Sequence, residues 1–199
     1  LTAKRLMDLL GAGLGLVMLS PLLLLIAVAI KLDSVGPVFF RQVRVGRFGR
    51  EFRIHKFRSM VWEDNASGPQ LTVAADSRIT RVGALLRRTK LDELAQLIDV
   101  LQGTMSLVGP RPEVPRYVAL YPPALRELVL SVQPGITDPA SIEFRDENAL
   151  LARSTDPERA YVQVVLPAKL ALQARYVHQR TLTLDLRLIC RTLGALIKR

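Results

Sequence analysis

The sequence predicts a mainly α fold with a small β-hairpin (α+β): a monotopic membrane protein with an N-terminal broken, re-entrant helix and amphipathic surface helices. Three observations point there. A long uncharged apolar stretch is interrupted by one proline, apolar residues recur at helical spacing through much of the remainder, and two short β-like runs are separated by glycines. A chain of 199 residues suits one core of ordinary size. It divides into a membrane-embedded helix-break-helix over 1–32 and a cytoplasmic-face domain over 33–199.

Leu9 to Ile30 contains no charged residue. As one helix it would reach about 33 Å, enough for a hydrocarbon layer of about 30 Å. Pro21 lies in its middle, where proline removes a backbone hydrogen bond and clashes with the carbonyl four residues back, Val17. A bend near Ser20 is the expectation. Lys4 and Arg5 precede the stretch, and Lys31, Arg41, Arg44, Arg47 and Arg50 follow it, so cationic flanks pull both ends to the cytoplasmic side. A helix that enters, bends and returns satisfies both pulls; a kinked single span is the plainer alternative. Ala27-Val28-Ala29 has the look of a signal-peptidase site, but the downstream cations oppose export.

Beyond this segment, Val38-Phe39-Phe40 and Phe52-Arg53-Ile54, with Gly46 and Gly49 between them, read as a hairpin. Asn65 to Pro69 is rich in turn formers, which makes Trp62 to Ser77 a loop. Leu85, Leu86, Leu94, Leu97, Ile98 and Leu101 give two short helices with a junction near Thr89. Gly109-Pro110-Arg111-Pro112 must be extended, because each proline disfavours helix in the residue before it. A helix is expected from Arg116 to Val132, broken at Pro122-Pro123, and one amphipathic helix from Leu170 to Ile197. Cys190, the only cysteine, falls in that last pattern as a small core or interface residue and forms no disulfide framework within the chain.

A formal charge of +10 calls for an anionic partner. The chain is nonetheless 49% hydrophobic, which favours a membrane surface and its lipids over nucleic acid. Aromatic residues make up only 6%, few for base stacking, and no nucleic-acid-binding motif is recognisable. His55 and His178 lie far apart without a zinc-type spacing. Walker A, dinucleotide-binding and nucleophile-elbow motifs are all missing.

Three constellations could carry chemistry. Thr89-Lys90-Leu91-Asp92-Glu93 reads on pattern as a helix start with a capping-box arrangement. It also sets two adjacent carboxylates beside Arg87, Arg88 and Lys90, where Asp92 would stay ionised and could ligate Mg²⁺ or attack phosphorus. In Gly109-Pro110-Arg111-Pro112 two prolines fix the backbone around an arginine suited to phosphate oxygens, or simply form a turn. In His55-Lys56-Phe57-Arg58-Ser59-Met60, strand alternation would put Lys56 and Arg58 on one face, either holding phosphates or forming a solvated edge.

Taken together, in order and spacing, these stretches resemble the bacterial sugar transferase family, the monotopic polyprenyl-phosphate phosphoglycosyl transferases. The resemblance runs through the basic leader and broken helix (Lys4 to Lys31), Phe40 to Met60, Leu91 to Pro112, Pro134-Gly135-Ile136-Thr137 and Tyr176 to Leu186. It implies an enzyme of the cytoplasmic face of the bacterial inner membrane that moves a sugar 1-phosphate from a UDP-sugar to polyprenyl (undecaprenyl) phosphate, releasing UMP. The implied mechanism is Mg²⁺-dependent and ping-pong, through a covalent phosphosugar-aspartate. By match, Asp92 is the nucleophile and metal contact, Glu93 its catalytic partner, and Arg87 and Arg111 contact phosphate. Lys56 and Arg58 are further substrate-binding candidates, and Arg145 is another in the stretch expected to meet nucleotide or sugar. A homodimer is left open.

The sequence departs from the commoner pattern at Ala95, where proline is frequent, at Thr104, where an acidic residue is frequent, and at Asp138-Pro139-Ala140-Ser141. The last departure means that the donor's identity does not carry over. A non-enzymatic basic membrane-surface scaffold would explain the charge and the apolar helices. It leaves the Asp92-Glu93 pair and the proline-clamped Arg111 without a reason.

Overall fold

The computed structural model describes residues 2–62 and 76–197. The expected loop from Trp62 to Ser77 therefore lies, over 63–75, outside the described residues. Helix α1 spans Ala3–Asp33 and is long and apolar enough to cross a membrane. Pro21 sits inside it without ending it. The Val17 carbonyl, which a residue with an N–H at 21 would have bonded, instead accepts the Ser20 hydroxyl at 2.8 Å. The Ser20-Pro21 pair thus satisfies locally the carbonyl that proline leaves without its N–H, and helical structure continues through the step at which the sequence predicts a bend.

One face of α1 is packed along its whole length. Ala12, Leu16 and Leu19 meet Ile54, Leu97, Val100 and Met105, while Leu22, Leu23, Ile26 and Ile30 meet Phe57, Leu86 and Ala95. The opposite face exposes Leu10, Leu14, Val17, Met18, Leu24 and Leu25, an apolar stripe too large for an ordinary water-facing surface. Polar bonds fasten both ends to the domain. Near the start, Asp8 accepts the Leu107 N–H and the Ser106 hydroxyl, each at 3.0 Å, Lys4 pairs with Asp185 at 2.7 Å, and Arg5 donates to the Val100 and Leu101 carbonyls. Near the end, Asp33 accepts the Val82 N–H at 3.0 Å. Lys4 and Arg5, the basic flank that precedes the apolar stretch, are therefore engaged in protein contacts.

The hairpin forms as expected. Strand β1 (Phe39–Val45) pairs antiparallel with β2 (Glu51–Phe57), placing Arg41 opposite His55 and Phe40 opposite Lys56. Helices α2 (Arg81–Thr89) and α3 (Gln96–Gln102) follow, separated by a 3₁₀ turn at Leu91–Glu93. Two three-residue strands, β3 (Ser106–Val108) and β4 (Gly135–Thr137), then pair in parallel. They are too short to announce themselves by alternation. Their approach demands glycine: a Cβ on Gly135 would overlap the Gly109 backbone, and one on Gly109 would overlap the Gln133 carbonyl.

Between them lie α4 (Pro115–Val118) and α5 (Pro123–Leu130), broken at Pro122-Pro123 as the sequence implies. Short helices α6 (Pro139–Glu143), α7 (Glu147–Leu151) and α8 (Pro157–Ala160) lead through a π-helical turn, Tyr161–Val165, into α9 (Leu166–Gln179) and α10 (Leu182–Ile197). The single terminal helix expected from Leu170 is thus two, parted at Arg180-Thr181. The break lets Tyr176 and Val177 of α9 and Leu188 of α10 share one core with Val108 and Val132. Cys190 is exposed on α10 rather than buried.

Candidate active site

The site begins with a backbone reversal at Lys90. This residue adopts the left-handed conformation (φ 58°, ψ 15°), ending α2 and opening the 3₁₀ turn that carries Asp92 and Glu93. A lysine there is strained relative to glycine. The expected capping box does not form: Thr89 donates its hydroxyl back to the Leu85 and Leu86 carbonyls, and the turn has no side-chain cap. The two carboxylates point to other partners.

Asp92 is buried. Its Oδ2 faces the Lys56 ammonium at 3.1 Å, and the same ammonium reaches Glu93 at 3.2 Å. Glu93 is also hydrogen-bonded and ion-paired to Arg111. Arg111 in turn donates to the Ile136 carbonyl at 3.3 Å, and its backbone N–H is held by Asp138 at 3.1 Å. The hairpin, the 3₁₀ turn and the segment after β3 thus meet in one acid-base cluster. Burial would raise the Glu93 carboxyl, but Arg111, Lys56 and Lys90 outweigh it and hold that carboxyl far below the usual range. Lys90 shows the reverse balance, since burial lowers its ammonium despite the attraction of Glu93.

These residues line a cleft of about 1880 Å³. Its lining includes apolar side chains, among them Leu10 and Leu14 of α1, Leu107, and Ile189 and Leu193 of α10. It also includes the polar side chains Arg44, Glu113, Glu147 and Lys169, which are linked to one another by ion pairs. Asp92, Glu93, Lys56, Lys90, Arg87 and Arg111 line it as well. Four of the expected site residues, Asp92, Glu93, Lys56 and Arg111, are therefore in direct contact, and Arg87 lines the same cleft.

Arg58 and Arg145 have other occupations. The Arg58 guanidinium donates to the Val35, Ser34 and Ile30 carbonyls and so caps the C-terminal end of α1. Its Nη1 and Nη2 donors are thus engaged with main-chain oxygens, which clamps the end of the helix. Arg145 donates to the Ala195 carbonyl at 2.7 Å, tying the chain after α6 to α10. Both residues still border the cleft.

As a Mg²⁺ site, the residues fit a shared role. Among the described residues no group of three or more His, Cys, Asp or Glu side chains is placed to hold a metal. Asp92 Oδ1 is nevertheless buried without a hydrogen-bond partner. One carboxylate oxygen is what the protein commonly offers Mg²⁺ when substrate phosphates and water supply the rest.

Sequence reasoning placed Lys90 beside the carboxylates but missed its left-handed backbone, the tie from Asp138 to Arg111 and the Glu113-Lys169 pair. The Asp138-Pro139 step is a legible helix start, and Asp138 does cap α6 by accepting the Ser141 N–H at 2.6 Å. Nothing in the local sequence signals its second bond, to Arg111.

The chain thus combines a strongly basic composition, an apolar helix long enough to cross a membrane and a buried aspartate beside cationic side chains. The sequence model of the bacterial sugar transferase family matches residues 1–199, and the chain belongs to that family. It is 50% identical over 58% of its length to a UDP-N-acetylgalactosamine-undecaprenyl-phosphate N-acetylgalactosaminephosphotransferase of Aeromonas hydrophila, covering 27% of that protein. It is 40% identical over 96% of its length to a UDP-glucose:undecaprenyl-phosphate glucose-1-phosphate transferase of Xanthomonas campestris pv. campestris, covering 38% of it. A protein of the same description from Caulobacter vibrioides is 37% identical over 98% of the chain, which covers 69% of that relative. The chain therefore spans well under half the length of the first two.

Proposed function

We propose that this chain transfers a sugar 1-phosphate from a UDP-sugar to polyprenyl (undecaprenyl) phosphate and releases UMP, working at the cytoplasmic face of the bacterial inner membrane. The observation that carries this reading is Asp92: buried, with one oxygen unpartnered, beside Lys56 and on a cleft lined by further cations. Glu93 is committed to Arg111 and Lys56, which leaves Asp92 as the carboxylate available for attack.

In the first step an Asp92 oxygen forms a bond to the phosphorus that bears the sugar. The bond from that phosphorus to the bridging oxygen breaks, and UMP departs with the electron pair. In the second step a phosphate oxygen of the polyprenyl phosphate attacks the same phosphorus, the bond to Asp92 breaks, and the carboxylate is regenerated. Lys56 and Arg111 hold the carboxylate pair, and Arg87 and Lys90 lie where they can attract the diphosphate. Mg²⁺, when bound, supplies positive charge against the diphosphate and the leaving UMP.

The apolar lining that α1 and α10 contribute to the cleft suits the acceptor's hydrocarbon, and the exposed stripe of α1 suits the acyl chains of one leaflet. Asp8 and Asp33, near opposite ends of α1, both accept backbone N–H groups of the same domain. A spanning α1 would have to draw those polar groups across hydrocarbon. This supports the re-entrant arrangement.

The test is UMP release from a panel of UDP-sugars in detergent, with and without polyprenyl phosphate. Asp92→Asn is expected to lose about a thousandfold or more in rate while keeping its fold. Mass spectrometry after incubation with donor alone should find a phosphosugar on Asp92. Wild-type turnover in the variant would refute the assignment.

A further inference from the structure

The cleft is also lined by a polar network that the phosphoryl chemistry does not use. Lys169 of α9 is buried, and its ammonium meets Glu113 at 3.2 Å, Glu147 at 3.0 Å and the Tyr161 hydroxyl at 3.3 Å. An ammonium has three N–H donors, so these contacts use all of them. Tyr161 donates to the same Glu113 oxygen at 2.5 Å, and Arg44 approaches the other oxygen at 3.5 Å. The network adjoins the phosphate-binding end, since Glu113 follows Arg111 by two residues and the Arg111 charge is felt at Lys169.

We propose that this network is the subsite for the donor's sugar ring, and that Glu147 and Asn148 determine which pattern of hydroxyls it accepts. The inference rests on the function proposed above.

Charge balance argues first. Within the network the cations Arg44 and Lys169 are matched by the anions Glu113 and Glu147, so these four side chains carry no net positive charge, whereas Lys56, Lys90, Arg87 and Arg111 outnumber Asp92 and Glu93. Hydrogen-bonding capacity argues second. Lys169 has no donor left and acts as the fixing post, whereas Glu147 engages it through Oε2 alone and has no bond to Oε1 among the described residues. Asn148, exposed on the same cleft, adds an amide that both donates and accepts. A carboxylate oxygen beside an amide complements neighbouring hydroxyls, which themselves donate and accept. Uracil fits worse, because its two carbonyl oxygens would face carboxylates and only one N–H could donate. The short helix α7 presents both residues and is anchored by Leu151, which is fully buried in the core beneath.

The test uses the full chain in detergent with polyprenyl phosphate, measuring UMP release from UDP-glucose, UDP-galactose and their N-acetylated counterparts. Glu147→Gln and Asn148→Ala, both substitutions at partly or fully exposed positions, are compared with wild type. Inhibition by free UMP is measured alongside. Either variant should change the ratio of kcat/KM between two epimeric donors by about tenfold or more, or admit an epimer that wild type rejects. The UMP inhibition constant should stay within about twofold. Equal loss on every donor would overturn the proposal in favour of a structural network. Weaker UMP inhibition in step with donor loss would overturn it in favour of a nucleotide subsite. A wild-type chain that releases UMP from no donor would instead overturn the function itself.

Discussion

Oδ2 of Asp138 accepts the backbone N–H of Arg111 at 3.1 Å, so the arginine that grips Glu93 has its own main chain held by a buried carboxylate. The same oxygen accepts Gln173 of α9 at 3.0 Å, and Oδ1 caps α6. Helix α9, helix α6 and the arginine segment thus converge on one side chain that need never touch substrate. Asp138→Asn replaces an acceptor oxygen with a donor that must face an N–H. Its kcat/KM is expected to fall about tenfold or more with circular dichroism unchanged. Combined with Arg111→Lys, the loss should be smaller than the product of the two single losses, because both act on the same guanidinium. Additive losses would show that Asp138 acts elsewhere.

Arg111→Lys keeps the charge but not the fork. The guanidinium bonds Glu93 and the Ile136 carbonyl together, a planar arrangement that a point ammonium cannot reproduce. UMP release is expected to drop about tenfold or more at saturating donor. Wild-type kinetics in this variant would mean that Arg111 only fills a turn.

Glu113 gives the fold a dependence on acid. Burial opposes its ionisation, but Lys169, Arg44 and the Tyr161 hydroxyl prevail and lower its carboxyl below the ordinary 4.5. A carboxyl lowered in the folded state stabilises above its unfolded value, and that stabilisation is lost as pH falls through the folded one. The gap in thermal midpoint between wild type and Glu113→Gln in detergent should therefore be full at about pH 6–7 and narrow below about pH 4.5. A gap that stays constant to about pH 3.5 would contradict the ion-pair account.

The orientation of α1 is testable at its first turn. Thr2 caps the helix by accepting the Arg5 N–H, and the residues after it are tied to β3 and α10. A cysteine at Thr2, in a Cys190→Ser background because Cys190 is exposed, should resist a membrane-impermeant thiol reagent in intact cells and react once they are permeabilised. Labelling from outside would establish a true span.

Much of this protein is decided by local sequence. Proline and glycine placement determines the hairpin, the break at Pro122-Pro123 and the extended Gly109-to-Pro112 segment, because these residues restrict or free the backbone wherever they stand. The uncharged run from Leu9 to Ile30 commits α1 to an apolar surround, and Asp92, Glu93, Lys56 and Arg111 are recognisable through their motifs. What only tertiary structure decides is where long flexible cations go. Lys56 turns to the carboxylate pair, while Arg58, two residues on, caps α1, and Arg145 turns to α10. Local alternation cannot separate them, because each guanidinium or ammonium reaches several ångströms from its backbone and settles on whichever oxygens the packed helices leave unpaired. The same holds for Asp138 and Lys169, whose partners lie 27 and 56 residues away in the chain. Burial makes those long-range pairs strong, and burial is a property of the assembled fold rather than of any stretch within it.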